Sequence, residues 1–267
     1  MALGIIVCGA GGRMGGAVIR AAQQSAAVKV VAAVDRPGGA RVGRDAGELS
    51  GVGNIGISVS DQIIAALKPN TVIIDFTSPE ASLGYLKEAA KQRIPIVIAT
   101  TGFDAKQLSA IKRLARRTPT LLSANTSLGV NVLVSLLSKA AKMLGDEYDV
   151  EIVEAHHRFK KDAPSGTALA LGRSVAGALD RDLDKVGING RKGMVGARGK
   201  KEIALLSVRA GDIVGEHTVI FGGIGERLEF IHRAHSRDTF AHGAIRAAQW
   251  LAGQNVGLFG MSDVLGI

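Results

Sequence analysis

Residues 3–35 read LGIIVCGAGGRMGGAVIRAAQQSAAVKVVAAVD, and this stretch decides how the first half of the chain is expected to fold. A short apolar run, residues 3–8, ends in a cluster of glycines, and the residues after the glycines have the apolar spacing of a helix. A second apolar run closes at Asp35. The stretch therefore predicts a strand, a glycine turn, a helix and a second strand, which is a βαβ unit of about thirty residues.

The glycine turn has the residue types that a dinucleotide needs at its pyrophosphate. Gly9, Gly12 and Gly15 fit the spacing G-x-x-G-x-x-G, although Met14 occupies the third glycine position of the stricter G-x-G-x-x-G. A turn without side chains lets a pyrophosphate approach backbone N–H groups at the positive end of a helix. Asp35 stands at the tip of the second strand, where a carboxylate accepts hydrogen bonds from ribose hydroxyls. A turn that binds nothing is the alternative, but this context favours dinucleotide binding.

Further apolar runs alternate with helical segments up to about residue 125. The runs are TVIIDF (71–76), IPIVIAT (94–100) and TPTLLSAN (118–125), and the segments between them have helical periodicity. Strands that are apolar on both faces indicate a parallel sheet covered by helices on both sides, a Rossmann-type domain. Ligands of such sheets bind beyond the carboxyl ends of the strands.

Small hydroxyl and amide residues follow these strands in the segments 76–78, 99–102 and 123–126. They suit a nicotinamide ribose and carboxamide, and they suit ordinary turns equally well. Arg36 follows Asp35 and can pair with a 2′-phosphate or stack on adenine, or it can be a solvated surface residue. The sequence leaves the choice between NADH and NADPH open.

The pattern changes after about residue 125. A helix is predicted at about 129–145, a strand follows in YDVEIVEA (148–155), and another helix is predicted from Ser165. The glycine-rich and basic segment GINGRKGMVGARGKK (187–201) is predicted to be a mobile loop. Three runs that alternate apolar and polar residues then predict an antiparallel sheet with one covered face. They are EIALLSVRA (202–210), EHTVIFGG (216–223) and RLEFIHRA (227–234).

A final helix, TFAHGAIRAAQWLAG (239–253), and the tail behind it are expected to return to the first domain. The fold class is therefore α/β, with a Rossmann-type parallel-sheet domain followed by an α+β domain that has a mostly antiparallel mixed sheet. The expected dinucleotide-binding domain is residues 1–127, joined by the C-terminal segment 240–267. The expected substrate-binding and oligomerisation domain is residues 128–239.

The stretch EAHHRFKKDAPSGTA (154–168) combines a helix start with titratable side chains. Its proline and serine precede an apolar segment, which predicts a capped helix N-terminus whose first N–H groups bind carboxylates or phosphates. Histidine titrates near neutrality, and lysine supplies a positive charge. The combination suits hydride transfer to a small anionic substrate that must also gain or lose a proton. The residues concerned are His156, His157, Lys160, Gly166 and Thr167.

Composition narrows the class of protein. The chain has 267 residues, enough for one large domain or two modest ones, and 46% hydrophobic with 21% charged residues is ordinary for a soluble globular protein. The formal charge of +9 fits an enzyme with an anionic substrate and cofactor. Nucleic-acid binding is not expected, because aromatic residues are only 4% and the basic residues are scattered.

The single cysteine, Cys8, excludes a disulfide within the chain, and a cytoplasmic location is the default expectation. The first residues, MALGIIVCGAGG, have no basic region and break into glycine, so we expect neither a signal peptide nor a membrane span. No metal site is expected either, since there is no second thiol and the other histidines have no ligand spacing. These histidines are His217, His232, His235 and His242.

Segments along nearly the whole chain resemble the 4-hydroxy-tetrahydrodipicolinate reductase (dihydrodipicolinate reductase) family. They are GAGGRMG, DFTSPE, TTGFD, EAHHRFKKDAPSGTA, VRAGDIVGEHTV, GERLEFIHRAHSR and GLFGMSDVL, in the family's order, and the string E-A-H-H-x-x-K-x-D-A-P-S-G-T-A is highly specific. The resemblance implies that a cyclic unsaturated dicarboxylate, formed by loss of water from its 4-hydroxy precursor, is reduced by NADH or NADPH. The product is tetrahydrodipicolinate, on the diaminopimelate route to lysine. The resemblance also implies a homotetramer assembled through the sheet of the second domain.

The resemblance also assigns roles to individual residues. His156 is the implied proton donor and acceptor, and Lys160 is the implied second catalytic group. His157, Gly166 and Thr167 are implied to contact the substrate dicarboxylate. The implied nucleotide contacts are Gly9, Ala10, Gly11, Gly12, Arg13, Met14, Asp35, Arg36, Ala99, Thr100, Thr101, Ser123, Ala124, Asn125 and Thr126.

Two residues depart from the family's pattern. Ala99 stands where a glycine is common before Thr-Thr, and Thr126 stands where an aromatic residue is common after Ala-Asn. Ala99 is harmless if its φ is negative. Thr126 removes a possible stacking partner near the nicotinamide, so this departure concerns cofactor affinity and not the fold.

Two other functions stay open. One is a different dinucleotide-dependent oxidoreductase with this two-domain plan, such as an amino-acid or semialdehyde dehydrogenase. The Ser-Gly-Thr helix start beside two histidines and a lysine argues against it, because it implies a rigid substrate with several negative charges. The other is a cofactor-sensing regulator or nucleic-acid binder, which would bind dinucleotide without turnover and show steeply salt-dependent DNA affinity.

Overall fold

The computed structural model describes residues 1–267, which fall into two compact units. The first unit comprises Met1–Leu128 and Arg237–Ile267, and the second comprises Gly129–Ser236. The chain therefore leaves the first unit once and returns to it at Arg237. The sequence placed this return at residue 240, whereas the helix that makes it begins at Asp238.

The first part of the chain alternates strands and helices, as its apolar spacing predicts. The strands are β1 (Leu3–Cys8), β2 (Val28–Val34), β3 (Val59–Ser60), β4 (Thr71–Asp75), β5 (Ile96–Ile98) and β6 (Pro119–Leu122). The helices are α1 (Arg13–Gln23), α2 (Ala46–Ser50), α3 (Pro79–Gln92) and α4 (Ala105–Leu114), and a 3₁₀ turn lies at Ile64–Ala66.

The second unit is built from three helices and five strands. The helices are α5 (Leu128–Leu144), which is followed by a 3₁₀ turn at Gly145–Glu147, α6 (Gly166–Ala178) and α7 (Leu183–Val186). The strands are β7 (Asp149–His156), β8 (Gly187–Ile188), β9 (Ile203–Arg209), β10 (Gly215–Gly222) and β11 (Arg227–Ala234). The chain then returns to the first unit with α8 (Asp238–Leu251), β12 (Gly257–Phe259) and α9 (Met261–Leu265).

The first unit contains one seven-stranded sheet in the order β12-β6-β5-β4-β1-β2-β3, and every neighbouring pair is parallel. Both faces of the sheet are covered. Successive side chains of a strand point to opposite faces, and here they lie in two different hydrophobic cores. Ile5 lies in a core with Ile245 of α8, and Ile6 lies in a core with Leu86 of α3. The Rossmann-type prediction is confirmed, and the tail extends the sheet by one strand.

The second unit has a mixed sheet in the order β11-β10-β7-β9-β8. Strand β10 is antiparallel to β7 and to β11, whereas β9 is parallel to β7 and to β8. The mixed sheet agrees with the predicted fold class, but the antiparallel pairing expected of the run 202–210 is not found. The reason is that helices α6 and α7 lie between β7 and β9, and such a crossover brings a strand back in the same direction.

One face of this mixed sheet is covered by helices, through Leu137 of α5 and Leu171 of α6 against Ile152 of β7. The opposite face carries a row of paired residues across four neighbouring strands. Because paired residues share a face of a sheet, the row is continuous. It consists of Leu206, Val153, Thr218 and Ile231, all partly or well exposed.

The segment 187–201 is attached to this sheet by two arginines. Arg191 contacts Glu151 at 3.1 Å and Glu202 at 2.8 Å. Arg198 contacts Glu151 at 2.9 Å and Asp149 at 2.8 Å. Beyond β8 the segment is a loop, as predicted, and guanidinium–carboxylate pairs connect it to β7 and to Glu202, which precedes β9.

One helical stretch, Leu128–Glu147, is long and apolar enough to cross a membrane by length and composition alone. Core helices of soluble proteins pass the same test, so the finding is weak evidence of a span. Leu133, Leu137 and Ala141 on one side of this stretch lie in the core of the second unit.

Candidate functional site

The glycine turn between β1 and α1 is a closely packed piece of backbone. Gly9 has a φ of +79°, and the N–H groups of Gly9 and Ala10 donate to the Val34 carbonyl at 2.8 and 3.0 Å. A Cβ at Gly15 would collide with the Gly9 carbonyl, so a glycine lets α1 lie against the turn. The N-cap residue Gly12 has no side chain to satisfy the first N–H groups of α1. This helix start fits a pyrophosphate.

Asp35 follows β2, and its carboxylate lies against the glycine turn. Its Oδ2 accepts the Gly11 N–H at 3.0 Å, and its Oδ1 accepts the Arg36 N–H at 2.8 Å. A Cβ at Gly11 would collide with Oδ2, so a glycine permits this approach. Arg41, for which no sequence pattern indicated a role, has its Nη1 4.0 Å from Oδ2. Asp35, Arg36 and Arg41 line a cavity of ≈ 170 Å³.

The loops after β4 and β5 are joined by a buried carboxylate, that of Asp75. Thr77 Oγ1 donates to Asp75 at 2.6 Å, and the Thr77 N–H donates to Thr100 Oγ1 at 3.0 Å. Burial raises the pKa of the Asp75 carboxyl. The Ala99 N–H donates to the Asp75 carbonyl at 2.9 Å. Ala99 is not among the non-glycine residues with positive φ, so its departure from the family's pattern causes no strain.

The loop after β6 is held by its own side chains. Ser123 Oγ donates to the Asn125 carbonyl at 2.7 Å. Thr126 is buried, and its hydroxyl donates to the Phe240 carbonyl at 2.7 Å. The Thr126 side chain therefore fastens this loop to α8, which a sequence pattern does not reveal.

The predicted nucleotide contacts lie together at one edge of the first sheet. They follow β1, β2, β5 and β6, and the carboxyl ends of parallel strands share an edge. Thr77, after β4, belongs to the same edge and lies in the predicted segment 76–78, although the resemblance implied no nucleotide contact for it. The predicted residues differ in exposure. The exposed ones are Gly12, Arg13, Arg36, Thr101 and Ala124, and the partly exposed ones are Gly11, Met14, Asp35, Ser123 and Asn125. The buried ones are Gly9, Ala10, Ala99, Thr100 and Thr126.

The second group of predicted residues lies at the end of β7 and the start of α6. His156 is the last residue of β7 and is buried, while His157 and Lys160 are partly exposed in the turn that follows. Lys160 Nζ pairs with Asp162 at 2.9 Å. Ser165 caps α6, because its Oγ accepts the Ala168 N–H at 3.1 Å.

The capped helix start places Gly166 at the first position of α6, where it is exposed, and Thr167 at the second, where it is partly exposed. The capped helix start that the sequence predicts for this segment is therefore present, with the first N–H groups of α6 at its end.

A carboxylate that the sequence analysis did not assign connects these two elements. Glu154 is fully buried, its Oε2 lies 2.5 Å from His156 Nδ1, and its Oε1 accepts the Ser165 N–H at 3.2 Å. Arg209 of β9 donates to both oxygens at 2.8 Å. Burial alone would raise the pKa of Glu154, but hydrogen bonds, led by that of Arg209, outweigh it and lower the pKa to about 2. Glu154 is therefore an ionised acceptor.

Burial disfavours the charged form of the two histidines beside Glu154 and so lowers their pKa values. Burial lowers the pKa of His156, against the raising effect of Glu154. His217 of β10 lies with its Nε2 3.2 Å from Ser165 Oγ and its ring 5.3 Å from the ring of His156. Burial, together with the charges of His156 and His232, lowers the pKa of His217 to about 4. Both imidazoles are neutral at neutral pH.

Within residues 1–267, no group of three or more His, Cys, Asp or Glu side chains is arranged to hold a metal ion. The site that the structure brings together thus consists of a helix start, a lysine and a histidine oriented by a carboxylate. Glu154 had a local signal, because it lies two residues before His156 and so on the same face of β7. Arg209 and His217 had none, since they come from other strands.

Comparison with known proteins identifies the family of this chain. The family model described as Dihydrodipicolinate reductase, N-terminus, matches residues 3–126, and Dihydrodipicolinate reductase, C-terminus, matches residues 129–265. A 4-hydroxy-tetrahydrodipicolinate reductase of Syntrophus aciditrophicus is 52% identical over 98% of this chain and 97% of its own length. One of Thiobacillus denitrificans is 49% identical over 100% of both chains.

Solved structures agree on the fold. A dipicolinate-bound dihydrodipicolinate reductase from Paenisporosarcina sp. TG-14 has a TM-score of 0.73 at 22% identity, covering 97% of this chain and 98% of its own. An amine dehydrogenase from Mycobacterium smegmatis has a TM-score of 0.58 at 15% identity, covering 97% of this chain and 94% of its own. Both likenesses concern the fold alone, whereas the two family models together match nearly the whole chain. The chain belongs to the dihydrodipicolinate reductase family.

Proposed function

We propose that this chain reduces 4-hydroxy-tetrahydrodipicolinate to tetrahydrodipicolinate with NADH or NADPH and with loss of the 4-hydroxyl group as water, a step of the diaminopimelate route of lysine biosynthesis. The observation that carries the proposal is the site in the second unit, where His156 and the start of α6 are held by one carboxylate, with Lys160 in the turn between them. Relatives about half identical over their whole length carry this activity in their names.

The second unit supplies the groups that bind a dicarboxylate. The first N–H groups of α6, at Gly166 and Thr167, bind a carboxylate at the positive end of the helix. The Lys160 ammonium supplies a charge for the dicarboxylate and for negative charge that develops during reduction. His157 lies beside His156 and adds a donor.

His156 moves the proton. The neutral imidazole donates its Nδ1–H to the ionised Glu154, so Nε2 is the nitrogen that takes up a proton and gives it to the substrate. The first unit holds the dinucleotide at the glycine turn, at Asp35 and at the loops after β5 and β6. The bound cofactor supplies the hydride.

The test of this activity is oxidation of NADH or NADPH, followed by the absorbance of the reduced cofactor. The substrate is made in place from pyruvate and aspartate semialdehyde by the condensing synthase, and we expect oxidation only when all three are present. Oxidation with aspartate semialdehyde alone would indicate a semialdehyde dehydrogenase. Dinucleotide binding without turnover would indicate a regulator.

Cofactor choice is expected to depend on Asp35 and Arg36, with both NADH and NADPH working and NADH at least as good. Arg36→Ala is expected to lower kcat/KM for NADPH about 10-fold, the scale of a charge-assisted hydrogen bond, while changing NADH little. Asp35→Ala is expected to shift the preference toward NADPH, because the carboxylate accepts ribose hydroxyls and repels a 2′-phosphate. The measurement is kcat/KM for both cofactors in each variant.

Arg44→Ala is the matched control, because Arg44 is exposed on the same loop but does not line the cavity of Asp35 and Arg36. Arg41→Ala separates the second guanidinium at that cavity from the first. An equal loss with NADH and NADPH in Arg36→Ala would show that Arg36 does not bind the 2′-phosphate.

A homotetramer formed through the mixed sheet is also part of the proposal. The row of Leu206, Val153, Thr218 and Ile231 supports it, because it is apolar at three positions and lies on the sheet face that the helices leave uncovered. Subunits related by symmetry place equivalent residues of such a face near one another.

Ile231→Arg is therefore expected to split the tetramer into smaller species, because an unpaired arginine would be buried in the contact. Light scattering coupled to size-exclusion chromatography measures the mass. Ile64→Arg is the control, since Ile64 is also exposed but belongs to the first unit. A tetramer that persists in Ile231→Arg would exclude this face.

A cytoplasmic location completes the proposal. It is supported by the single cysteine, Cys8, which is buried and free, since disulfide-bonded proteins are concentrated in oxidising compartments. Fractionation of the source cells, with an antibody to this chain, tests the location.

A further inference from the structure

The carboxylate of Glu154 has all of its acceptor capacity in use. Its Oε1 accepts from Arg209 Nη2 at 2.8 Å and from the Ser165 N–H at 3.2 Å. Its Oε2 accepts from Arg209 Nη1 at 2.8 Å and lies 2.5 Å from His156 Nδ1. A carboxylate offers about four lone-pair positions, and these donors, together with the Ser207 side chain, occupy them. The side chain is fully buried, so its orientation is set by these donors.

This arrangement fixes which nitrogen of His156 carries the proton. An ionised carboxylate only accepts, so the hydrogen of the neutral imidazole resides on Nδ1, and Nε2 keeps its lone pair. The neighbouring strand β10 leaves room for the ring in this orientation, because its first residue, Gly215, has no side chain. A Cβ at Gly215 would lie 3.0 Å from His156 Nε2, which is tighter than ordinary contact.

The same carboxylate connects His156 to the groups that would bind the substrate. Ser165, whose N–H reaches Glu154, is the cap of α6, and Ser165 Oγ also contacts His217 at 3.2 Å. Arg209 donates to the Asp162 carbonyl at 2.7 Å, and the Asp162 carboxylate pairs with Lys160. Displacing Glu154 therefore disturbs the histidine, the helix start and the lysine turn together.

We propose that Glu154 is a positioning residue for the reaction: it orients His156 and selects its Nδ1–H tautomer, it anchors the start of α6, and Arg209 holds it in place. This inference rests on the proposed function, in which His156 transfers the proton. Glu154 is fully buried, so it acts through its neighbours.

Glu154→Gln tests the inference, because it keeps the shape of the side chain and removes the charge. We expect kcat to fall about 10²-fold, the lower end of what a positioned acid or base contributes. The affinity for NADH, measured by fluorescence titration, should stay unchanged, because the dinucleotide residues belong to the first unit. Circular dichroism and thermal melting establish that the variant is folded.

Two readouts separate positioning from a merely structural role. The ¹³C shift of His156 Cδ2 reports the tautomer, and we expect the fixed Nδ1–H form of the wild type to become a mixture in Glu154→Gln. The pH profile of kcat has a limb that reports the pKa of His156. Loss of the Glu154 carboxylate should move this limb to lower pH. The charged and titratable groups that face the ring are Glu154, Lys160, Arg209 and His217, of which only Glu154 raises its pKa.

The matched control is Glu151→Gln. Glu151 lies on the same strand and is also bound by two arginines, Arg191 and Arg198, but it contacts no histidine. We expect the tautomer, the pH profile and kcat to stay as in the wild type. Glu154→Asp should restore part of kcat, since it keeps the charge and shortens the reach.

The possible failures are distinguishable. If His156→Gln is inactive while Glu154→Gln keeps wild-type kcat and tautomer, the positioning role is overturned and the proposed function stands. If both variants are fully active, the assignment of His156 itself is wrong. Should Glu154→Gln not fold, Arg209→Lys takes its place, because lysine keeps the charge and loses the paired N–H groups. An unchanged kcat and tautomer in Arg209→Lys would overturn the part assigned to Arg209.

Discussion

His156→Gln is expected to lower kcat by about 10²–10⁴-fold, the usual contribution of a positioned general acid or base. Glutamine has no nitrogen that gains and loses a proton near neutrality, so the substrate must take its proton from water. The Kd for NADH should change little, because His156 belongs to the second unit and the dinucleotide residues to the first. Steady-state oxidation of NADH and a fluorescence titration measure the two quantities.

His235→Gln is the control for this experiment, since His235 is exposed and takes no part in the site. The limb on which kcat falls as pH rises through the pKa of the proton donor should be present in the control and absent in His156→Gln. It should lie below the ordinary histidine range, because burial lowers the pKa of His156. Turnover like that of the wild type in His156→Gln would end the assignment of proton transfer to this residue.

Lys160→Ala is expected to reduce kcat/KM for the dicarboxylate by about 10- to 100-fold, the scale of one or two charge-assisted hydrogen bonds. Both KM and kcat should change, because an ammonium beside a dicarboxylate binds the substrate and stabilises negative charge in the transition state. The side chain is 20% exposed and paired with Asp162, so it is held near the turn before the substrate arrives. Separate determination of KM and kcat with saturating NADH measures the effect.

Lys161→Ala provides the comparison, because the neighbouring side chain is exposed and has the same charge. A loss of equal size in both variants would indicate a general effect of positive charge on the approach of the substrate. Unchanged KM and kcat in Lys160→Ala would make Lys160 a solvated surface residue.

Much of the first unit could be predicted from local patterns. The βαβ unit of residues 3–35 and the helix at Pro79–Gln92 follow from apolar spacing that each segment contains by itself. The parallel pairing of β9 with β7 could not be predicted in this way. An alternating run indicates a strand with one covered face, but its partner is chosen by contacts with residues far away in the chain.

The candidate site could also be predicted only as far as local sequence patterns reach. His156, Lys160 and the helix start were found because a single string of sequence contains them all. Arg209 orients the carboxylate behind His156 from 55 positions away, and no local pattern connects the two segments. Thr126 is a similar case, since its hydroxyl donates to Phe240, 114 positions later. Spacing identifies residues that share an element, whereas the groups that hold them come from elsewhere in the fold.

The return of the last residues to the first sheet has a consequence for how the protein is made. The second unit is one uninterrupted stretch, Gly129–Ser236, so all of it has left the ribosome before the first unit is complete. The first unit is incomplete without α8 and β12. Helix α8 contributes Ala244, Ile245 and Leu251 to the core around β1, and β12 forms the edge of the sheet. The half of the molecule that is translated first therefore needs the residues that are translated last to complete its core and its sheet.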